Sequence, residues 1–243
     1  MSEQTNEHWA IIRQVVIGAE DGTATAKELC ETLGLAPGFP DPELADIGLA
    51  DETIRVGREA HLEVVSPLGP EASLHRWIER GGGPGGYCLS VQVPDVAARI
   101  AAAEAAGVGL AADVVAMGRH VIQLKPGAMG LLVEFDEIPD PEVWFWDDVV
   151  TAEPDNPLVD DVLAVEVASP DPQAQAELWS AVWGLPLEAG TEVPEMRVGS
   201  RTVRFVEGTR RMLTAVDLAA APGTEPMMTT IGGVELRVLA RPA

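Results

Sequence analysis

The chain has 243 residues, 47% of them hydrophobic, and sets 16 Lys and Arg against 39 Asp and Glu for a formal charge of -23. A field that negative repels phosphate backbones and anionic headgroups, which excludes nucleic acid and membrane surfaces as partners. No run approaches the roughly 20 apolar residues that cross a bilayer, and the length suffices for one large core or two modest ones.

The N-terminal MSEQTNEHWA has no basic region followed by an apolar stretch, so a cytoplasmic protein is expected. Cys30 and Cys88 offer no disulfide framework and suit a reducing compartment. AIIRQVVIGA reads as a strand and Thr23 to Leu33 as a helix, with Asp21 as a candidate N-cap and Gly34 as its stop. The strands ADETIRVG and EAHLEVVSP follow, separated by a turn near Gly57 and Arg58. SLHRWIERGGGPGGY reads as a short helix running into a glycine hinge.

A strand at Tyr87 to Val93 and a helix at Val96 to Ala106 come next, then GRHVIQLKP and GLLVEFDEI around a hairpin turn at Lys125, Pro126 and Gly127. Residues 138–158, IPDPEVWFWDDVVTAEPDNP, form a linker whose Trp144, Phe145 and Trp146 should pack down on a domain. A third unit, LAVEVASPDPQAQAELWSAVWGLPL, leads into MRVGSRTVRFVEG. RRMLTAVDLAA then opens a fourth unit in which APGTEPMM replaces the helix, before the closing strand GGVELRVLA. Three of these units share one phrase: strand, Asp, Ala-rich helix, Gly. It runs from Asp21 to Gly34, Asp95 to Gly107 and Asp171 to Gly184, a spacing regular enough to be architecture.

Units of strand, helix and two or three strands, arranged in pairs, resemble the vicinal oxygen chelate superfamily, which includes glyoxalase I, bleomycin-resistance proteins, extradiol dioxygenases and methylmalonyl-CoA epimerase. HLEVVSPLGPEASLHRWIERGGGPGGYCLSVQVPD and VIQLKPGAMGLLVEF are most similar to the epimerase branch. The resemblance implies an α+β fold of paired βαβββ modules forming an incomplete barrel, with a second, shortened copy. It implies a complete domain over 8–137, the linker 138–158 and the shortened domain over 159–243.

It also implies metal-ligand positions at Gln14, Glu63, Cys88 and Glu134. Two of these, Gln14 and Cys88, stand where the family has histidines. An amide oxygen is a weak ligand and a thiolate a soft one, so the expected cofactor is a divalent metal or, in preference, none. His61 lies two residues from Glu63 on one strand and so shares its face.

Two functions follow. In the first, an isomerase or lyase uses Glu63 or Glu134 to remove a proton alpha to a carbonyl or thioester, with Gln14, Tyr87 or Arg13 stabilising the enolate. In the second, a metal-free protein of the bleomycin-resistance type holds a small molecule with Gln14, His61, Tyr87 and Cys88. The partner is a small molecule in both, and the chain is a monomer or homodimer. Cys30, Trp179 and Trp183 read as packing residues, and Glu235 is the one carboxylate in the second half that echoes a ligand position.

Overall fold

The computed structural model describes residues 9–240. The ends of the expected domains at residue 8 and at 241–243, and most of the N-terminal stretch read for a leader, lie outside the described residues. The architecture is α+β, built of paired modules, and its strands form a many-stranded sheet that does not close into a barrel.

The first module comprises β1 (Ile11–Gly18), α1 (Gly22–Leu33), β2 (Leu49–Val56), β3 (Ala60–Pro67) and a short helix α2 (Ser73–Gly81). The second has β4 (Gly85–Val93), α3 (Val96–Ala105), β5 (Leu110–Ala116), β6 (Arg119–Leu124), a one-turn helix α4 (Pro126–Met129) and β7 (Leu132–Glu137). The third has β8 (Val159–Ser169), α5 (Pro172–Trp183), β9 (Glu195–Val198) and β10 (Arg201–Glu207). The fourth has β11 (Met212–Ala220), β12 (Met227–Ile231) and β13 (Val234–Leu239), with no helix.

The repeated phrase marks helix ends, as its residue types require. Asp21, Asp95 and Asp171 each cap a helix, their carboxylates accepting the backbone N–H of Ala24, Ala97 and Ala174. Gly34 and Gly184 adopt the left-handed conformation that ends α1 and α5. The Lys125-Pro126-Gly127 segment is not a tight hairpin turn: Pro126 opens the four-residue helix α4, which Gly130 ends at φ 92. Nor does GGGPGGY serve only as a joint. Gly82 ends α2, and a Cβ on Gly86 would stand 2.5 Å from the Leu213 side chain, so close strand approach demands glycine there.

Contacts divide the chain into two compact units. One comprises the residues up to Arg13, Leu89–Asp148 and Val167–Arg211, that is, most of the second and third modules. The other comprises Gln14–Cys88, Val149–Glu166 and the residues from Met212, that is, the first and fourth modules.

In the second–third unit, β5, β6 and β7 pair antiparallel in that order and β7 continues onto β4. The core of this unit is aromatic. Trp179 stacks on Trp183 at 5.1 Å between ring centroids, Phe205 meets Trp179 edge-on at 5.4 Å, and Phe135 meets Trp183 at 5.3 Å. Trp179 Nε1 donates to the Met129 carbonyl at 3.0 Å, so its polar atom is satisfied. Trp144 and Trp146 of the linker are buried as expected.

In the first–fourth unit, β2 pairs antiparallel with β3 and β3 runs parallel to β1. β11 runs parallel to β13, which pairs antiparallel with β12. α1 covers one face of β2 and β3, where Gly22 abuts Ser66. Strand alternation then puts His61, Glu63 and Val65 on the opposite face. Cys30 is half-buried rather than core.

Candidate functional site

Register decides which side chains meet on the face of β1, β3 and β2 turned away from α1. Gln14 lies beside His61 and Val16 beside Glu63, while Arg55 pairs with His61 and Thr53 with Glu63. Gln14, Thr53, His61 and Glu63 are all buried, which is costly for polar groups unless they bond to one another. Gln14 and Glu63 do: Gln14 Nε2 donates a short hydrogen bond to Glu63 Oε2. The Glu63 carboxyl thereby takes a donor from the neighbouring strand.

A loop borders this face. Phe39 exchanges two backbone hydrogen bonds with Thr53, at 3.1 and 2.8 Å, and its ring meets His61 edge-on at 6.4 Å between centroids. The Arg55 guanidinium lies 5.8 Å from the Phe39 ring centre and donates to the Val149 carbonyl at 2.8 Å. Gly38 N–H donates to Glu52 Oε1, and the Asp41 N–H donates to both oxygens of Asp51. Burial pushes the Asp51 carboxyl up to about 6, with the Asp41 charge adding to it against the pull of the Asp41 N–H, and burial raises Asp41 as well. The site is therefore a buried Gln, His and Glu beside an aromatic ring and a guanidinium, edged by a carboxylate-pinned loop.

The structure thus brings Gln14, His61 and Glu63 together. Tyr87 and Cys88 are neighbours on β4 and face opposite ways: the Tyr87 ring packs edge-on against Trp77 of α2 at 5.0 Å, and Cys88 is buried. Glu134 belongs to the second–third unit, where it accepts from Gln123 Nε2 at 2.7 Å. Beside it on that unit's strands, Ser90 Oγ donates to Asp136 Oδ2 at 2.6 Å, and the buried Arg13 donates from Nε to Gln92 Oε1 at 2.7 Å. Arg13 also donates to the Pro141 carbonyl at 2.5 Å and lies 5.7 Å from the Trp144 ring centre, so the linker is held on this polar group.

Several of these residues escape sequence reasoning. Asp136 lies two residues from Glu134 and Ser90 two from Cys88, so a period of two could have found both. Phe39, Asp51 and Arg55 carry no such signal. The C-terminal half is richer than its single echoing glutamate suggests. Arg237 binds Glu166 through two nitrogens at 2.9 and 3.2 Å and donates a short bond to Glu235, with Asp217 3.7 Å away. Those hydrogen bonds, that to Glu166 foremost, raise the Arg237 pKa.

Among the described residues no group of three or more His, Cys, Asp or Glu is arranged to hold a metal ion. Gln14 turns its N–H to Glu63, whereas a metal would need the amide oxygen. The donor set at Gln14, Glu63, Cys88 and Glu134 does not fit a divalent catalytic metal.

No family model and no curated protein matches the sequence. Solved structures do. A hypothetical protein from Staphylococcus aureus superposes with TM-score 0.70 at 10% identity, over 96% of this chain and 100% of that one. A triple mutant of 4-hydroxymandelate synthase from Streptomyces coelicolor gives TM-score 0.65 at 17% identity, over 87% of this chain and 71% of that one. Methylmalonyl-CoA epimerase is similar over 56% of this chain and 100% of its own, with TM-score 0.46 and 21% identity. At such identities the likeness speaks for architecture alone. The first two superpose over most of this chain, and the chain has the vicinal oxygen chelate fold.

Proposed function

We propose that this protein binds a small organic molecule without a metal, on the face formed by Gln14, His61 and Glu63. The observation that carries the reading is the hydrogen bond from Gln14 to Glu63. It joins two of the expected ligand positions to each other, and it sets a buried carboxyl acceptor near an imidazole and the Phe39 ring. Such a surface suits a ligand with an apolar body and a cationic or hydrogen-donating group: Glu63 receives the donor, Phe39 the apolar part. The strongly negative protein raises the local concentration of cations, favouring the same ligands.

The isomerase or lyase reading asks Glu63 for the opposite property. A base that removes a proton next to a carbonyl works best without a strong donor on it, whereas Glu63 already accepts from the Gln14 amide. The test is calorimetric titration of chelator-treated protein with a panel of cationic and neutral amphiphiles. Binding that survives chelation and weakens at least tenfold in Glu63→Gln is expected. Solvent-deuterium exchange into an alpha-proton carbonyl compound or thioester, lost in Glu63→Gln, would overturn the binding reading in favour of the enzyme. A metal retained in stoichiometric amount through desalting and lost in Glu63→Ala would overturn its metal independence.

A further inference from the structure

A ligand reaches the Gln14, His61 and Glu63 face only after something moves, because these residues and Thr53 are each 7% exposed or less. Within the first–fourth unit the segment that reaches over them is the loop from α1 to β2, residues 36–47, whose Phe39 ring meets His61 edge-on. Its ends are fixed. The Leu35 N–H donates to the Cys30 carbonyl and the Leu68 N–H to the Gly48 carbonyl, both at 2.9 Å.

Between those ends the loop holds to one short stretch of β2. Pro37, Pro40 and Pro42 have no N–H, which leaves Gly38, Phe39 and Asp41 as the backbone donors of residues 37–42. All three are spent on consecutive β2 residues: Gly38 on the Glu52 carboxylate at 2.9 Å, Phe39 on the Thr53 carbonyl at 3.1 Å, and Asp41 on the Asp51 carboxylate at 2.9 Å. The Thr53 N–H returns a bond to the Phe39 carbonyl. Gly38 lies so close to β2 that a Cβ would stand 2.5 Å from the Thr53 carbonyl oxygen. From Asp41 to Gly48 the backbone bonds to itself, around a short turn of 3-10 helix at Leu44–Ile47. The attachment is shallow. Every residue from Ala36 to Gly48 is at least partly exposed, so closure buries little apolar surface, and segments of that kind open at a small fraction of the free energy of global unfolding. Burial also raises the carboxyls of Asp41 and Asp51, so the closed loop keeps two acids from the water they prefer.

We propose that residues 36–47 are a lid over the Gln14, His61 and Glu63 face, which swings off β2 to admit the ligand and returns to lay Phe39 against it. The identity of what enters rests on the binding reading above, whereas the motion does not. Three prolines fix φ at positions 37, 40 and 42, so that stretch moves as one piece and loses little chain entropy on closing again. The closed ring has a fixed seat. Phe39 rests 6.4 Å from the His61 ring and 5.8 Å from the Arg55 guanidinium, which the Val149 carbonyl holds in turn at 2.8 Å.

Amide hydrogen exchange of the full, ligand-free chain reads the motion. The N–H groups of Gly38, Phe39, Asp41 and Thr53, whose bonds join the loop to β2, should exchange with one shared protection factor. That factor should be at least about a hundredfold below those of Leu62 and Val64 on β3, a strand paired on both sides. Diethyl pyrocarbonate, which modifies accessible imidazoles, reads what the motion uncovers. Gly38→Ala sets a methyl against the Thr53 carbonyl and touches none of the site side chains. It should speed modification of His61 and exchange at Phe39, Asp41 and Thr53 at least about tenfold, with Leu62 and Val64 unchanged. Loop amides as protected as Leu62 and Val64 would overturn the proposal, and that comparison is made on the parent, so it stands even if the variant does not fold. His61 modification unchanged in a variant whose loop amides have sped up would overturn it as well, by showing that the loop moves without uncovering the site. Neither readout contains a ligand, so a failure of the lid and a failure of the binding reading are told apart.

Discussion

Asp51→Asn tests how the loop beside the candidate site is held. Asp51 accepts the Asp41 N–H at 2.9 and 3.1 Å and the Thr53 hydroxyl at 3.3 Å. Burial first, then the Asp41 charge, hold its carboxyl at about 6 against an ordinary 3.8, although the hydrogen bonds it accepts pull the other way. A group whose pKa is raised on folding stabilises the fold when protonated. Its contribution is complete below the unfolded value and is lost as pH rises through about 6. The shift, near two units, corresponds to about 3 kcal/mol at 1.36 kcal/mol per unit. Asp51 is partly exposed, and solvent screening reduces this to about 1–2 kcal/mol. Asparagine keeps a carbonyl acceptor for the Asp41 N–H and never ionises. The variant should therefore match the parent below about pH 3.8 and exceed it by about 1–2 kcal/mol at about pH 8. Urea unfolding followed by tryptophan fluorescence at those pH values gives both numbers. Asp41, also raised by burial, leaves a residual slope of the same sign in the variant. A variant that loses more stability at the higher pH would show that the Asp51 charge is welcome in the fold, and an equal difference at both would show no linked ionisation; either result would refute the argument.

Arg237→Met leaves Glu166, Glu235 and Asp217 together without their cation. A loss of about 1–3 kcal/mol in urea unfolding is expected, smaller at low pH where carboxylates neutralise, because the arginine is 28% exposed. Trp183→Ala removes the fully buried ring stacked between Trp179 and Phe135 and should cost about 3–5 kcal/mol in the same assay. Asp171→Ala removes the α5 cap and should cost about 1 kcal/mol, read as a thermal midpoint a few degrees lower. Burial first, then Glu52 and Glu31, push the Cys30 thiol up to about 11, so iodoacetamide at neutral pH should label it at least tenfold more slowly than an unfolded control by mass spectrometry.

Elements fixed by local chemistry were legible in the sequence. An Asp before an Ala-rich stretch and a Gly after it state where a helix begins and ends; α1 and α5 obey at both ends, while α3 starts at Asp95 and is capped by Ala106, one residue before Gly107. Alternating apolar strands such as β3 and β7 also declared themselves. β5 did not, because a strand exposed on both faces has no alternation to read, and LAADVVA looks like a continuation of the Ala-rich helix before it. β12, MMTTI, is nearly as exposed. The Pro126 helix was hidden by a dipeptide, Pro-Gly, that more often marks a turn. The site was half legible: two-residue spacing put His61 with Glu63, while Phe39 and Asp51 reach it through loop pairing that no period encodes.

The repeat itself explains why architecture outran chemistry. In three modules the first strand lies directly beside the last: β1 by β3, β4 by β7, β11 by β13. That adjacency brings one polar side chain from each strand together on the same face, whatever their identities. In the first module the pair is Gln14 and Glu63, an amide on a carboxylate. The second joins Ser90 to Asp136, a hydroxyl on a carboxylate, and the fourth sets Asp217 3.7 Å from Arg237. The first two pairs satisfy a buried acid with a hydrogen bond, as a strand interior requires, and the third sets an acid beside a cation. Folding alone therefore requires only that each buried acid meet a donor there. The positions can be counted from the repeat, but the chemistry depends on which donor faces which acid. Replacing the donor of a single pair is the direct way to ask whether that acid is held for structure or for a ligand. Gln14→Leu should cost about 1–3 kcal/mol in urea unfolding by leaving Glu63 without its amide donor. A saturating ligand that donates to Glu63 should restore most of that loss, whereas a purely structural pair would be restored by none.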